Sequence, residues 1–124
     1  MFYLPNNKVL LGISVILALA FLAFGGMKFA SPQQLLDNFA AWGYPSGFHY
    51  LVGLAEVAGA IGLFIRPLAR YAALGLGLLM VGAFMTHVLH PPLSAGVPSF
   101  LLGAFSFVAA SMHFKAGGAQ DSAA

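Results

Sequence analysis

Cysteine is absent from this sequence of 124 residues, and charged residues are scarce. Without cysteine the chain can form no disulfide, has no thiol chemistry and offers no thiolate to a metal. Five basic and three acidic residues make up 6% of the chain, against roughly 25% charged residues in ordinary soluble domains. So few charges cannot cover the surface of a soluble fold, and they include no basic run for nucleic acid. The composition therefore indicates an integral membrane protein.

What the chain has instead is four long apolar runs. We expect membrane spans at about 8–29, 48–65, 69–90 and 97–114. A run of about 20 apolar residues is long enough to cross the hydrocarbon core of a bilayer. A signal peptide is the competing interpretation of the first run, but its end lacks a small-x-small cleavage pattern. The sequence predicts an all-α membrane protein, a four-transmembrane-helix bundle in a single domain spanning 1–124.

A short amphipathic segment, 32–42, separates the first two spans. Ser31 suits the N-cap of a helix there. This helix is too short and too polar to span, so we expect it at the membrane surface, with Trp42 and Tyr44 at the level of the head groups. The small polar tail, 116–124, is expected to be disordered.

The few basic residues predict an orientation. Four spans place Lys8, Arg66, Arg70 and Lys115 on one side of the membrane and leave Lys28 on the other. Cytoplasmic loops carry the excess of Lys and Arg. We therefore expect both termini in the cytoplasm.

Glu56 is a single carboxylate inside an apolar run, and the nearest basic residue along the chain is Arg66. Such a group costs about 2.5–3.5 kcal/mol at a helix centre on insertion scales, so it usually faces a bundle interior and has a partner. The predicted topology brings further ionisable side chains to the same outer half of the bundle. We expect a ligand-binding or proton-relay site formed by Glu56, Lys28, His87, His90 and His49, with Lys28 or His87 as the partner of Glu56.

Each of these residues also has a structural interpretation. Lys28 could extend its ammonium group to the interface, and His49 and His90 lie near predicted helix ends, where they could be interfacial. A protonated Glu56 could donate one hydrogen bond to a neighbouring helix. His87 and His90 are three residues apart and could hold a metal with Glu56 or His49. That spacing is common by chance, and we expect no metal site.

Three motifs resemble the DoxX-like family of small four-helix membrane proteins, over about residues 10–112. They are Phe24-Gly-Gly-Met-Lys-Phe-Ala-Ser-Pro32, Leu51-Val-Gly-Leu-Ala-Glu-Val-Ala-Gly-Ala-Ile-Gly-Leu-Phe64 and Met85-Thr-His-Val-Leu-His-Pro-Pro-Leu93. The resemblance implies a four-helix membrane bundle, and the pattern of the family maps onto Lys28, Glu56 and His87. The family takes its name from a membrane subunit of a thiosulfate-oxidising, quinone-reducing complex, and it also takes in animal proteins such as NACHO, a chaperone for nicotinic receptor assembly.

From these residues we expect a pocket between the helices that binds a quinone, an isoprenoid or a lipid. The resemblance implies an accessory subunit of a membrane redox system in a bacterial inner membrane, and not an enzyme acting on its own. Ionisable groups beside an apolar cavity suit an oxygen-bearing head group above an apolar tail. The alternative is an assembly factor for another membrane protein, in which Glu56 and Lys28 form a structural staple. Its contact surface would include the small-residue pairs Ala55/Gly59, Ala58/Gly62 and Ala73/Gly77. A proton-coupled transporter and a homo-oligomer are further alternatives.

Overall fold

The structure, a computed structural model, describes the backbone of residues 4–123 and the side chains of residues 4–116. All regular elements in this part of the chain are helical, as the composition predicts. They are α1 (Lys8–Ala30), α2 (Gln33–Ala41), α3 (Phe48–Gly62), α4 (Ala69–Leu89), a 3-10 turn (Leu93–Gly96) and α5 (Val97–Ala123).

Three stretches are long and apolar enough to cross a membrane: Lys8–Ala30, Ala69–Leu89 and Leu93–Ala116. The predicted second span is shorter, because α3 has 15 residues and ends at Gly62. At 1.5 Å per residue α3 is about 22 Å long, less than the hydrocarbon thickness of about 30 Å. Bonds of the 3-10 type continue the turn to Ile65, where the sequence places the end of the span. Four spans therefore remain a prediction.

Ser31 ends α1, and the prediction that it begins α2 is wrong. Ser31 precedes Pro32, which disfavours the helical conformation, and it adopts the left-handed region at φ 52° and ψ 58°. Its amide donates to the carbonyl of Lys28, so it caps the carboxyl end of α1. The N-cap of α2 is Pro32, whose side chain provides no capping bond.

The last helix extends further than the predicted span. Its backbone is helical from Val97 to Ala123, whereas the sequence predicts an end near 114 and a disordered tail at 116–124. No proline follows Pro98 to stop the helix. The side chains of 117–124 lie outside the described residues, and the disorder of the tail stays a prediction.

The bundle consists of two closely packed helix pairs. α1 packs chiefly on α3, and α4 packs chiefly on α5, while the α3–α4 and α1–α5 contacts are smaller. Glycines make the close approach possible: a Cβ on Gly25 would lie 2.9 Å from the carbonyl oxygen of Gly53, and one on Gly77 would lie 2.8 Å from the ring of Phe107. Among the described residues, the largest fully buried apolar side chains are Phe21, Leu10, Leu17, Leu63 and Leu76.

Candidate functional site

A buried ion pair lies where α1 crosses α3. The ammonium nitrogen Nζ of Lys28 is 2.6 Å from Oε1 of Glu56, and the two side chains are only 14% and 3% exposed. A Cβ added to Gly25 would lie 3.1 Å from Cβ of Glu56, and one added to Gly53 would lie 3.0 Å from Cβ of Lys28. The close approach of α1 and α3 at these two glycines thus brings Lys28 and Glu56 together. The sequence predicts such a pairing of Glu56 with one of its two candidate partners.

The Lys28 side chain points into the bundle and not outward to the interface. Its Nζ lies 3.4 Å from the carbonyl oxygen of Phe24, one helical turn back along α1. An ammonium extended to the head groups would point past the end of α1 instead. The attraction of Glu56 accounts for this direction, because a buried carboxylate stabilises the nearest cation.

Oε1 is the buried oxygen of the Glu56 carboxylate, and Lys28 is its partner. Nζ of Lys28 contacts it at 2.6 Å, and among the described residues Oε1 has no other polar contact. A buried charge is compensated chiefly by the attraction of its partner, so Lys28 is the principal compensation for the Glu56 charge.

A cavity of about 460 Å³ opens beside this pair. Its wall is formed by residues of α1, α2, α3 and α4 and by the connection after α2. The lining residues are Met27, Lys28, Pro32, Gln34, Leu35, Asn38, Phe39, Trp42, Tyr44, Phe48, Val52, Glu56, Leu79, Met80, Gly82, Ala83, Thr86 and His87. The sequence predicts a pocket between the helices with Glu56, Lys28 and His87 in its wall, and all three side chains line this cavity.

Glu56 and His87 lie at different levels of the cavity wall. A Cβ on Gly59 would meet Cδ2 of Leu76 at 2.6 Å, so these two residues share a level on the neighbouring helices α3 and α4. Glu56 is about one turn before Gly59 in α3 and Leu79 is about one turn after Leu76 in α4, so Glu56 lies level with Leu79. His87 follows Leu79 by eight residues, about 12 Å along α4. The ion pair and His87 are therefore separated along the bundle, and the three predicted residues do not form one polar cluster.

The α2 segment covers the end of the cavity where His87 lies. The ring of Trp42 meets the imidazole of His87 edge-on, with centroids 5.2 Å apart, and the Tyr44 hydroxyl is hydrogen-bonded to Thr86. All nine residues of α2 are at least partly exposed, and Gln34 and Asn38 are among the residues that line the cavity. The amphipathic segment is thus a cover for the cavity as well as a surface helix.

Sequence reasoning did not identify Tyr44, Thr86, Gln34 and Asn38 as cavity residues. Gln34 and Asn38 are four positions apart on one helical face, which was a usable signal for α2. Tyr44 and Thr86 belong to separate elements, and each is unremarkable in its local sequence. Only the contact of the segment that follows α2 with α4 brings them together.

His49 and His90 are not among the cavity-lining residues. His49 is buried, and its Nε2 lies 2.9 Å from the hydroxyl of Ser31, which is also 3.0 Å from the hydroxyl of Tyr50 and 3.2 Å from the carbonyl of Lys28. His49 therefore fastens the end of α1 to the start of α3. His90 caps the end of α4 and is half-buried. Within the described residues, no three His, Asp or Glu side chains converge as a metal site requires.

A second buried polar contact joins α1 to α5 at the other end of the bundle. His113 is 3% exposed, and its Nε2 lies 3.3 Å from the hydroxyl of the fully buried Ser14. Both are far along the helices from the Lys28–Glu56 pair. This contact is separate from the cavity, because neither Ser14 nor His113 is among its lining residues.

Long apolar helices packed around a buried ion pair define an integral membrane protein of the small helical-bundle class. The chain belongs to the DoxX-like family, whose sequence profile matches residues 12–110. A comparison with curated proteins finds no match, and a comparison with solved structures finds none either. The match covers every helix that lines the cavity, including the segments that carry Lys28, Glu56 and His87.

Proposed function

We propose that this protein binds an amphipathic membrane molecule, a quinone, an isoprenoid or a lipid, with its oxygen-bearing head group at the Lys28–Glu56 pair. One observation carries the proposal: a largely apolar cavity ends on a buried ion pair. The cavity volume of about 460 Å³ lies within the roughly 300–1,000 Å³ usual for small-molecule sites. Such sites combine apolar walls with a few polar groups that orient the ligand.

The proposal includes an accessory role beside a membrane redox partner. The residues of this chain supply a binding site and two charges, and a reaction on the bound molecule would take place with that partner. Direct proton transfer between Glu56 and His87 is not part of the proposal, because about 12 Å of α4 separates their levels. Glu56 and Lys28 act on the ligand head group, and His87 contributes to the covered end.

The test is mass spectrometry of small molecules extracted from purified protein, with two glycine variants as a matched pair. A Cβ on Gly82 or on Gly75 would meet no described atom within 4 Å, and both glycines are exposed on α4, but only Gly82 lines the cavity. We expect a specific molecule enriched in the wild type and in Gly75→Leu and depleted in Gly82→Leu. Bulk phospholipid alone in all three proteins would overturn the proposal.

The assembly-factor alternative is less well supported by the packing. Four of the six small-residue positions proposed as its contact surface are occupied within the molecule. Gly59 packs against Leu76, Gly62 against Ala72 and Gly77 against Phe107, and Ala73 is fully buried. Ala55 and Ala58 remain exposed on α3. A co-purifying membrane protein whose binding is lost on Ala58→Leu, together with an empty cavity, would favour this alternative.

A further inference from the structure

We infer that the cavity opens sideways between α3 and α4 onto the lipid chains of the membrane, so that the site takes long-chain molecules whose tails project into the bilayer. The inference rests on the proposed function, because it states which chain lengths the same cavity accepts. It follows from where α3 and α4 touch, and from Gly82, which lies on an outer face of α4 and also lines the cavity.

Gly82 belongs to an outer face of α4. Gly75 precedes it by seven residues, about two helical turns, so the two glycines lie on nearly the same face. Gly75 is exposed and is not among the cavity-lining residues, and Leu78, which lies between them, is 59% exposed. Gly82 is exposed too, yet it lines the cavity, and a Cβ added to it would meet no described atom within 4 Å. The cavity therefore reaches the outer surface of the bundle beside Gly82.

Two contacts between α3 and α4 bound this opening along the helices. Six residues before Gly82, Leu76 packs closely against a glycine of α3. Four residues after Gly82, Thr86 is hydrogen-bonded to the hydroxyl of Tyr44, whose ring stacks on Phe48 at the start of α3 with centroids 4.8 Å apart. The two helices are thus joined on either side of Gly82, and the opening occupies the interval between the two contacts.

The opening lies at the depth of the lipid chains when α4 spans a bilayer. The 21 residues of α4 are centred on Leu79, and Gly82 is three residues past that midpoint, about 4.5 Å along the helix. The hydrocarbon core of a bilayer is about 30 Å thick, so it extends about 15 Å on either side of its centre. Val81 and Met85, which are close to Gly82 along α4, are exposed and apolar. The molecules that meet this opening in a membrane are therefore lipid chains.

The rim of the opening suits a chain without polar groups. The Thr86 hydroxyl donates to the carbonyl of Gly82 at 3.0 Å, and the Tyr44 hydroxyl is bonded to Thr86, so an apolar chain can pass without breaking a hydrogen bond. The cavity is also short, because the levels of Glu56 and His87 are only about 12 Å apart along α4. A molecule with its head group at the ion pair and a chain longer than this extends through the opening into the bilayer.

The experiment compares molecules that share a head group and differ in chain length, with one pair for each class of molecule in the proposed function. The pairs are farnesol and solanesol, a short-chain and a long-chain ubiquinone, and a short-chain and a long-chain phosphatidylcholine. Binding to protein freed of co-extracted molecules is measured by native mass spectrometry and by the fluorescence of Trp42, the single tryptophan, which lines the cavity. We expect the wild type to bind the long member of at least one pair as tightly as the short member, because the additional chain remains in the surrounding lipid or detergent.

Gly82→Leu and Gly75→Leu are the matched variants. We expect Gly82→Leu to weaken the binding of the long member at least about 10-fold more than that of the short member, because the leucine side chain overfills the opening. Gly75→Leu should weaken neither.

A wild type that binds short members and excludes every long one, or a Gly82→Leu variant that weakens both members of a pair equally, would overturn the side opening and leave the proposed function standing. If the wild type binds no member of any pair, the proposed function itself is wrong.

Discussion

At the scale of single residues, the two charges of the buried pair depend on each other. Lys28 and Glu56 lie in separate helices, both within the apolar part of the bundle. An ion pair in such surroundings loses hydration and is compensated chiefly by its own attraction. Removing one partner leaves the other charge buried without compensation, whereas removing both leaves ordinary apolar packing.

We therefore expect Lys28→Met alone to lower the free energy of unfolding by about 3–5 kcal/mol and the double variant Lys28→Met/Glu56→Met to lower it by much less. The measurement is denaturant or thermal unfolding of the purified proteins in one detergent. A double variant at least as unstable as the single one would show that the pair stabilises the fold in its own right.

At the scale of the elements, the pair depends on how closely α1 approaches α3. A Cβ on Gly25 would lie 2.8 Å from Cγ2 of Val57 and 2.9 Å from the carbonyl oxygen of Gly53, and a backbone oxygen in a helix cannot move aside. Gly26 is the next residue of the same helix, and a Cβ there would meet no described atom within 4 Å. The two neighbours are a matched pair for testing the crossing.

We expect Gly25→Ala to destabilise the protein by about 1–3 kcal/mol, since the helices must separate to admit the methyl group. Gly26→Ala should leave the stability unchanged or raise it by up to about 1 kcal/mol, because alanine favours the helix. Thermal unfolding in detergent compares them. Equal effects of the two substitutions would mean that helix propensity, and not the α1–α3 crossing, determines stability here.

The cover of the cavity also belongs to the element scale. α2 is attached by aromatic contacts and by the Tyr44–Thr86 hydrogen bond, while its own side chains remain partly exposed. An element with little buried surface opens at a lower free energy than the helices beneath it. Local opening of α2 is therefore expected to require less free energy than separation of α1, α3 and α4.

At the scale of the whole molecule, the open question is how many times the chain crosses the membrane. Three stretches are long enough to span, and α3 is shorter. If α3 crosses, the amino-terminal end and the connection at Leu93–Gly96 lie on opposite sides. If α3 does not cross, these two segments lie on the same side.

The absence of native cysteine makes a direct test straightforward. We expect a cysteine at Ser94 to react with an impermeant maleimide in intact cells, and a cysteine at Asn6 to react only after the membrane is opened. This is the pattern for four spans with both termini in the cytoplasm. Labelling of both positions under the same condition would indicate three spans, and the reversed pattern would indicate the opposite orientation.

Much of the fold could be predicted because its determinants are local. Apolar runs and the prolines at 32, 67, 91, 92 and 98 mark the helices, and the observed starts at Lys8, Phe48, Ala69 and Val97 agree closely with the predicted ones. The pairing of Glu56 with one of two candidate partners was also predictable, because a carboxylate in an apolar helix requires compensation. Ser31 was assigned to the wrong helix because a serine before a proline suits either a helix start or a helix end.

The sequence by itself determined the class of protein, the order of its helices and the presence of a charged site within them, since composition and hydrophobic periodicity act along the chain. Only the tertiary structure decided that Lys28, and not His87, is the partner of Glu56, and that α2 covers a cavity between the pair and His87. Those facts depend on the positions of α1, α3 and α4 relative to one another along the bundle axis. These axial positions follow from where glycines let two helices touch, and no local sequence pattern encodes them.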